Sequence, residues 1–592
     1  MFRRLLKPNT TRLLRLLSLN PNTSSLLLSS SSSSSSSSAM KDPETNNPIA
    51  LSTHLLTSLS SEIPLVQTFK GKWALIQAKL TVLQAQLTDF AGFPTSTSNP
   101  LALDLLLSVS HTLRDAVSLA QRCQSPNFSD GKLRTQSDVD SILAKVDLHL
   151  RDGEILFQSG VLDDTAGFSS SSSKRETVRA ECRNLVTGLQ IGSAESRNSA
   201  MEALLQFLQE DDKNVMIAVA QGIVPVLVKL LDSSSFEMKE NAVAAISMVS
   251  TVESSKNVLA AEGLPLLNHL VKVLDSGSGF AKEKACVALQ GLSFPKENAR
   301  AIGSRGGISS LLDICQGGTP GSQALAAGVL RNLAAFDENK ENIIQEEGDV
   351  VLLALAKSGT ALAQENAIGC LCHLVSDSES QKISVYKQGG IECLKNFWDS
   401  GCNNNRSLEV AVELLMHLAS CSLIAEILVA EGFVARIVEV LNCGVLGARI
   451  QAAKAVYELG FCSRTRKEMG ECGCIPPLVK MLDGKALEEK EVAAKALSTL
   501  LLFADNRKIF RKIEGGIVST VQLLNPSIQN LDKKYPVALL ASLVRSKKCK
   551  KQMVAAGVCV HLQKLLGLEV EGSQKLLESL CRSKIWGVFA RS

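Results

Sequence analysis

A glycine that returns at a nearly constant interval constrains this chain more than any other feature. It stands at Gly222, Gly263, Gly306, Gly348, Gly389, Gly432, Gly473, Gly515 and Gly557, with separations of 41, 43, 42, 41, 43, 41, 42 and 42 residues. A period of that length holds one small group of helices, which cannot bury its apolar face alone and must stack on its neighbours. A second ladder keeps the same register: Ala200, Ala242, Ala285, Ala326, Ala367, Ala411, Ala452 and Ala493. Four residues beyond each alanine comes an aliphatic: Leu204, Ile246, Leu289, Leu330, Leu371, Leu415, Val456 and Leu497. Two ladders in one register predict an all-α solenoid.

One unit, residues 305–348, shows the chemistry. Gly306-Gly307 allows positive φ and a sharp turn between helices, where a Cβ would clash. ISSLLDI is apolar at i, i+3 and i+4, so it buries one face. Gly317, Gly318, Pro320 and Gly321 break the helix, and ALAAGVLRNLAAF is apolar nearly all round, as suits a helix covered on both sides. NKENIIQEEG then makes a short helix leading to the next glycine. Pro225, Pro265 and Pro476-Pro477 fall in first turns, where a missing N–H costs least.

A short helix followed by two longer ones, with a glycine corner, resembles the armadillo repeat. The motifs are GIVPVLVKLLDSSSFEMKENAVAAISMVS, GCIPPLVKMLDGKALEEKEVAAKALSTLL and VLRNLAAFDENKENI. They are similar to the arrays of plant armadillo proteins, including the U-box ligases, and cover residues 179–592 as about nine repeats. The resemblance implies a right-handed superhelix whose last helices face a concave, protein-binding groove.

Composition narrows the function. Six cations and no acid lie in residues 1–41, so the overall charge of +4 leaves −2 for the rest and no broad footprint for nucleic acid. The sixteen cysteines are scattered, several inside apolar helices, and show no paired framework, which favours a reducing, cytosol-like compartment. Residues 1–44 are a basic, leucine-rich leader with ten serines at Ser29–Ser38, read as disordered low complexity. The same composition suits a chloroplast or mitochondrial transit peptide over residues 1–40, or translation from Met40. Otherwise a cytoplasmic, or also nuclear, location is expected. No apolar stretch is long enough to span a bilayer, and Phe2 stands where myristoylation needs glycine.

Residues 45–162 lack the period but contain four amphipathic segments separated by breakers, which predict a four-helix bundle. Pro100 opens the third, and Ser137 with Asp140 reads as the cap of the fourth. The bundle resembles the helical domain that precedes the U-box in plant U-box armadillo ligases. That resemblance implies a U-box between bundle and array. Only a flexible linker, residues 163–178, occupies that place, too short for a folded domain. A ligase of its own is therefore not expected, and an accessory or substrate-binding role in a ubiquitin-ligase pathway is the alternative to a scaffold.

An import receptor of the importin-α kind would carry, as that resemblance implies, Asn and Trp ladders on its last helices. Only Asn332 fits the Asn ladder, and Gly328, Gly369, Glu413, Lys454 and Lys495 are among the residues at Trp positions. Cargo binding of that kind is not expected. Asn332, His373, Glu413, His417, Lys454, Glu458 and Lys495 are the candidate groove residues for an extended peptide, against the plain alternative of solvated faces. His373 and His417 stand in adjacent repeats, but neither a cysteine nor a carboxylate completes a zinc set at usual spacing, and Cys370 and Cys372 point to different helix faces. No phosphate loop or catalytic triad is legible, so neither an enzyme nor a cofactor is expected. Arg545, Lys547, Lys548, Lys550 and Lys551 form a basic patch, read first as a solvated turn between helices and second as a nuclear-localisation signal. The unit from Gly557 onward reads as a terminal cap with a shortened third helix. Together these features predict a non-enzymatic scaffold or adaptor for protein partners.

Overall fold

The computed structural model describes residues 47–125, 131–163, 174–401 and 404–581. The leader, residues 1–44, lies outside the described residues, as does most of the linker. The fold is all-α, and no strand occurs among the described residues. No single described helix is long and apolar enough to cross a membrane.

Four helices come first: α1 (Pro48–Glu62), α2 (Lys70–Gly92), α3 (Pro100–Arg122) and α4 (Lys132–Gln158). Both α1 and α3 begin with Asn-Pro. Proline's fixed φ suits the first helical position, while Asn47 Oδ1 accepts from the Ile49 N–H and Asn99 Oδ1 from the Leu101 N–H. Trp73, Ile76, Leu80, Leu83, Leu87 and Phe90 form the buried stripe of α2, at the three- and four-residue spacing of one helix face. The expected cap of α4 is corrected. Its N-cap is Gly131, six residues earlier, and Asp140 instead pairs with Lys72 across the bundle at 2.5 Å.

The linker boundary also moves. Helix α5 (Lys174–Gln190) begins inside residues 163–178, because Val178 packs against the solenoid core and Cys182 is buried in it. With α6 (Ala194–Glu210) it forms a leading pair, followed by nine three-helix repeats among the described residues. The first is Asp212–Ala220, Ile223–Leu230 and Phe236–Thr251; the ninth is Lys547–Ala555, Val558–Leu566 and Ser573–Cys581. The last helices of repeats 2 to 8 are Gly279–Leu292, Pro320–Leu333, Ala361–Val375, Asn405–Ala419, Leu446–Leu459, Leu487–Leu500 and Lys534–Leu543, each packed on the next.

The alanine ladder is where those helices meet. Ala242, Ala285, Ala326, Ala367, Ala411, Ala452 and Ala493 are fully buried, as is the aliphatic four residues beyond each. Ala200 differs because its helix is the first, with the bundle for a neighbour. A Cβ on Gly188 would sit 3.4 Å from both Ala200 and Leu101 of α3. Ile191, in the α5–α6 loop, joins the bundle core, and Ser196 Oγ donates to Asp104 at 3.0 Å. The bundle therefore covers the end of the stack.

The glycine ladder holds with one shift. Gly222, Gly263, Gly306, Gly389, Gly432, Gly473, Gly515 and Gly557 have φ between 62° and 94°. At the fourth corner the left-handed residue is Glu347, at φ 55°, and Gly348 opens the helix. Gly348 takes the second corner place, like Gly307 and Gly390. A Cβ there would lie 2.7 Å from the Ile343 carbonyl oxygen, so the demand for glycine is steric rather than torsional.

Candidate partner-binding face

The groove candidates all lie on last helices, two or six residues beyond a ladder alanine, and all are half-buried. Several are already engaged within the solenoid. Asn332 Nδ2 donates to the Gln290 carbonyl at 3.2 Å and to Ser293 Oγ at 2.9 Å, which ties repeat 3 to repeat 2. Lys454 pairs with Glu488 of the next repeat at 3.0 Å. Lys495 lies over the Tyr457 ring, 4.0 Å from its centroid, with the Tyr535 ring 5.7 Å away. The two tyrosines meet edge-on at 6.4 Å. Glu458 is half-buried on the helix that carries Lys454.

His373, Glu413 and His417 sit nearer the middle of the array. Burial first, then the nearby Arg331 and Lys340, lowers the His373 pKa, so its ring is neutral at pH 7. Burial, then Lys382, lowers that of His417 to about 4. Burial raises the Glu413 carboxyl, with Arg331 and Lys454 acting against the rise.

Sequence reasoning missed two further side chains here. Arg331 precedes Asn332, and its guanidinium lies flat across Gly369 of the next repeat, where a Cβ would stand 2.5 Å from Nε. Gln290 lies across Gly328 in the same way one repeat earlier, at 2.5 Å. The signal was present: a glycine two residues beyond a ladder alanine, in mid-helix, where only a close approach explains it. The other is Lys382, on the short helix Glu379–Lys387, which is 9% exposed and donates to Ser420 Oγ at 2.7 Å.

The basic patch is corrected in form. Lys547, Lys548, Lys550 and Lys551 lie on the helix Lys547–Ala555, capped by Ser546, and only Arg545 stays in the turn before it. Lys550 Nζ donates to the Ser579 carbonyl at 2.7 Å and fastens the final helix. No group of three metal-ligating side chains occurs among the described residues. Burial pushes the Cys315 thiol up to about 12 and raises those of Cys286, Cys370, Cys372 and Cys474. They behave as small apolar core residues.

The architecture agrees with comparison to known proteins. A family model for the armadillo/beta-catenin-like repeat matches residues 211–247, the first repeat. Another, a domain of unknown function (DUF7032), matches residues 50–161, which take in most of the four-helix bundle. Among solved structures, the chain is similar to an engineered protein at 26% identity and a TM-score of 0.58, covering 68% of this chain and 99% of that one. A designed armadillo repeat protein aligns at 23% identity and a TM-score of 0.36, over 40% of this chain and 98% of that one. No curated protein matches the chain. The molecule is an armadillo-repeat α-solenoid with an N-terminal helical bundle. Repeats of this kind generally mediate protein–protein interaction.

Proposed function

We propose that this protein is a non-enzymatic scaffold that binds an extended segment of a partner along the last helices of its repeats. The observation that carries this reading is the run of half-buried polar and charged side chains, from Asn332 to Lys495, on helices whose ladder alanines and aliphatics are buried in the core. Polar groups placed at repeat intervals suit an extended chain, whose contacts are individually weak and add along its length. The cytoplasm is the location that fits its unpaired cysteines, and the nucleus is open to it as well. Reversing Glu413, Lys454 and Lys495 together is expected to weaken partner capture at least tenfold with the helical content unchanged. Undiminished capture by that variant counts against the groove.

An accessory role in a ubiquitin-ligase pathway is the second reading, favoured by a helical bundle ahead of the array. Copurification of a ligase or conjugating enzyme that survives the triple charge reversal and is lost on disrupting the bundle would select it over the first.

A further inference from the structure

Arg331 and Lys382 are cations without a carboxylate partner, and they flank a pair of imidazoles. Among the described residues Arg331 has neither an ion pair nor a hydrogen bond. Its Nη1 is buried and unbonded. Lys382 makes one hydrogen bond, to Ser420, and no ion pair among the described residues. By contrast Lys340, between them, is occupied by Asp337 at 3.0 Å and Asp377 at 3.1 Å. His373 feels Arg331 and Lys340, and His417 feels Lys382 and His373, so the four groups form one strip across repeats 3 to 5. Glu413 feels Arg331, yet it does not come within ion-pair distance of it.

We infer that this strip is a subsite for an anionic side chain of the bound segment, a carboxylate or a phosphoryl group, received chiefly by Arg331. The inference rests on the groove reading above. A planar guanidinium presents paired donors that match either oxyanion, and among the described residues no carboxylate already pairs with this one. Gly369 is the second element of the site. Its missing side chain lets the guanidinium lie flat against the helix instead of extending into solvent.

The test uses the full-length protein and three fluorescent peptides of roughly twelve residues, about 40 Å when extended. They are alike except for a central pair of glutamates, phosphoserines or glutamines. The acidic peptides are expected to bind at least tenfold more tightly than the glutamine peptide. Arg331→Gln should erase that difference, and Arg331→Lys should keep part of it. Gly369→Ala should reduce it by displacing Arg331 without removing its charge. An unchanged circular-dichroism spectrum and urea midpoint of that variant separate a lost subsite from a lost fold. A phosphoserine advantage over glutamate assigns the site to a phosphoryl group; equality assigns it to a carboxylate. Equal binding of all three peptides, or acidic preference that survives Arg331→Gln, overturns the subsite. If the preference survives that change and is lost on reversing Lys454 and Lys495, the groove stands and the subsite alone falls.

Discussion

Single residues show how far the sequence carries. The corner glycines were legible because positive φ excludes most side chains, and eight of nine sit where the period puts them. Gly348 misled because a corner has two glycine-prone places, one torsional and one steric, and this repeat kept only the second. Glu347 therefore holds a left-handed backbone at a cost of about 1 kcal/mol. Glu347→Gly is expected to raise the urea midpoint, with a gain of roughly 0.5–1 kcal/mol, and a lowered midpoint would refute the assignment. The histidines make a second prediction. Burial lowers His149 and His417 from 6.5 to about 4, with Lys145 and Lys382 adding to the effect. The unfolded chain then takes up the proton first. The stability of the neutral rings is complete above pH 6.5 and drains away toward pH 4. The loss should reach roughly 2 kcal/mol for each ring once residual solvent is allowed for, and unfolding at pH 7.5 and pH 5 measures it. His149→Gln, which keeps a partner for Thr112 Oγ1 at the same site, should flatten that dependence.

At the scale of helices, legibility followed the strength of the stop and start signals. Prolines fixed the starts of α1 and α3 at Pro48 and Pro100. The start of α4 slipped by six residues because Asp140 resembles capping chemistry but is drawn to Lys72. Capping also varies along the array. Ser193, Ser235, Ser278, Thr319, Thr360 and Asn404 each accept a backbone N–H at the head of a last helix. Ala486 has no such oxygen, although Glu489 stands three residues on. Ala486→Ser supplies the missing cap oxygen and is expected to stabilise the seventh repeat by about 1 kcal/mol, seen as slower amide exchange across Leu487–Leu500. Unchanged exchange would show that the helix start is already saturated. The packing ladder should be unforgiving in the other direction. Leu371→Ala opens a cavity at a fully buried rung and should cost about 2–5 kcal/mol, lowering the urea midpoint.

For the whole molecule, the period announced the stack, while the register of polar groups along it emerged only in three dimensions. Arg331 acquires its setting from Gly369 in the next repeat, and Lys495 from Tyr457 in the one before. Such pairings between repeats are about 40 residues apart and carry no local signature. Contacts reach only to neighbours, so stability is shared along the array, and the helical bundle covers one end of it. A partner lying on the last helices must then touch several repeats in succession. Site-specific photo-cross-linking tests that most directly, with the photoreactive residue placed in turn at His373, Glu413 and Lys495, and at Glu341 and Gln345 on a short helix. The account predicts one partner captured from all three last-helix positions and from neither short-helix position. Capture of that partner from the short helix, with none from the last helices, would contradict it.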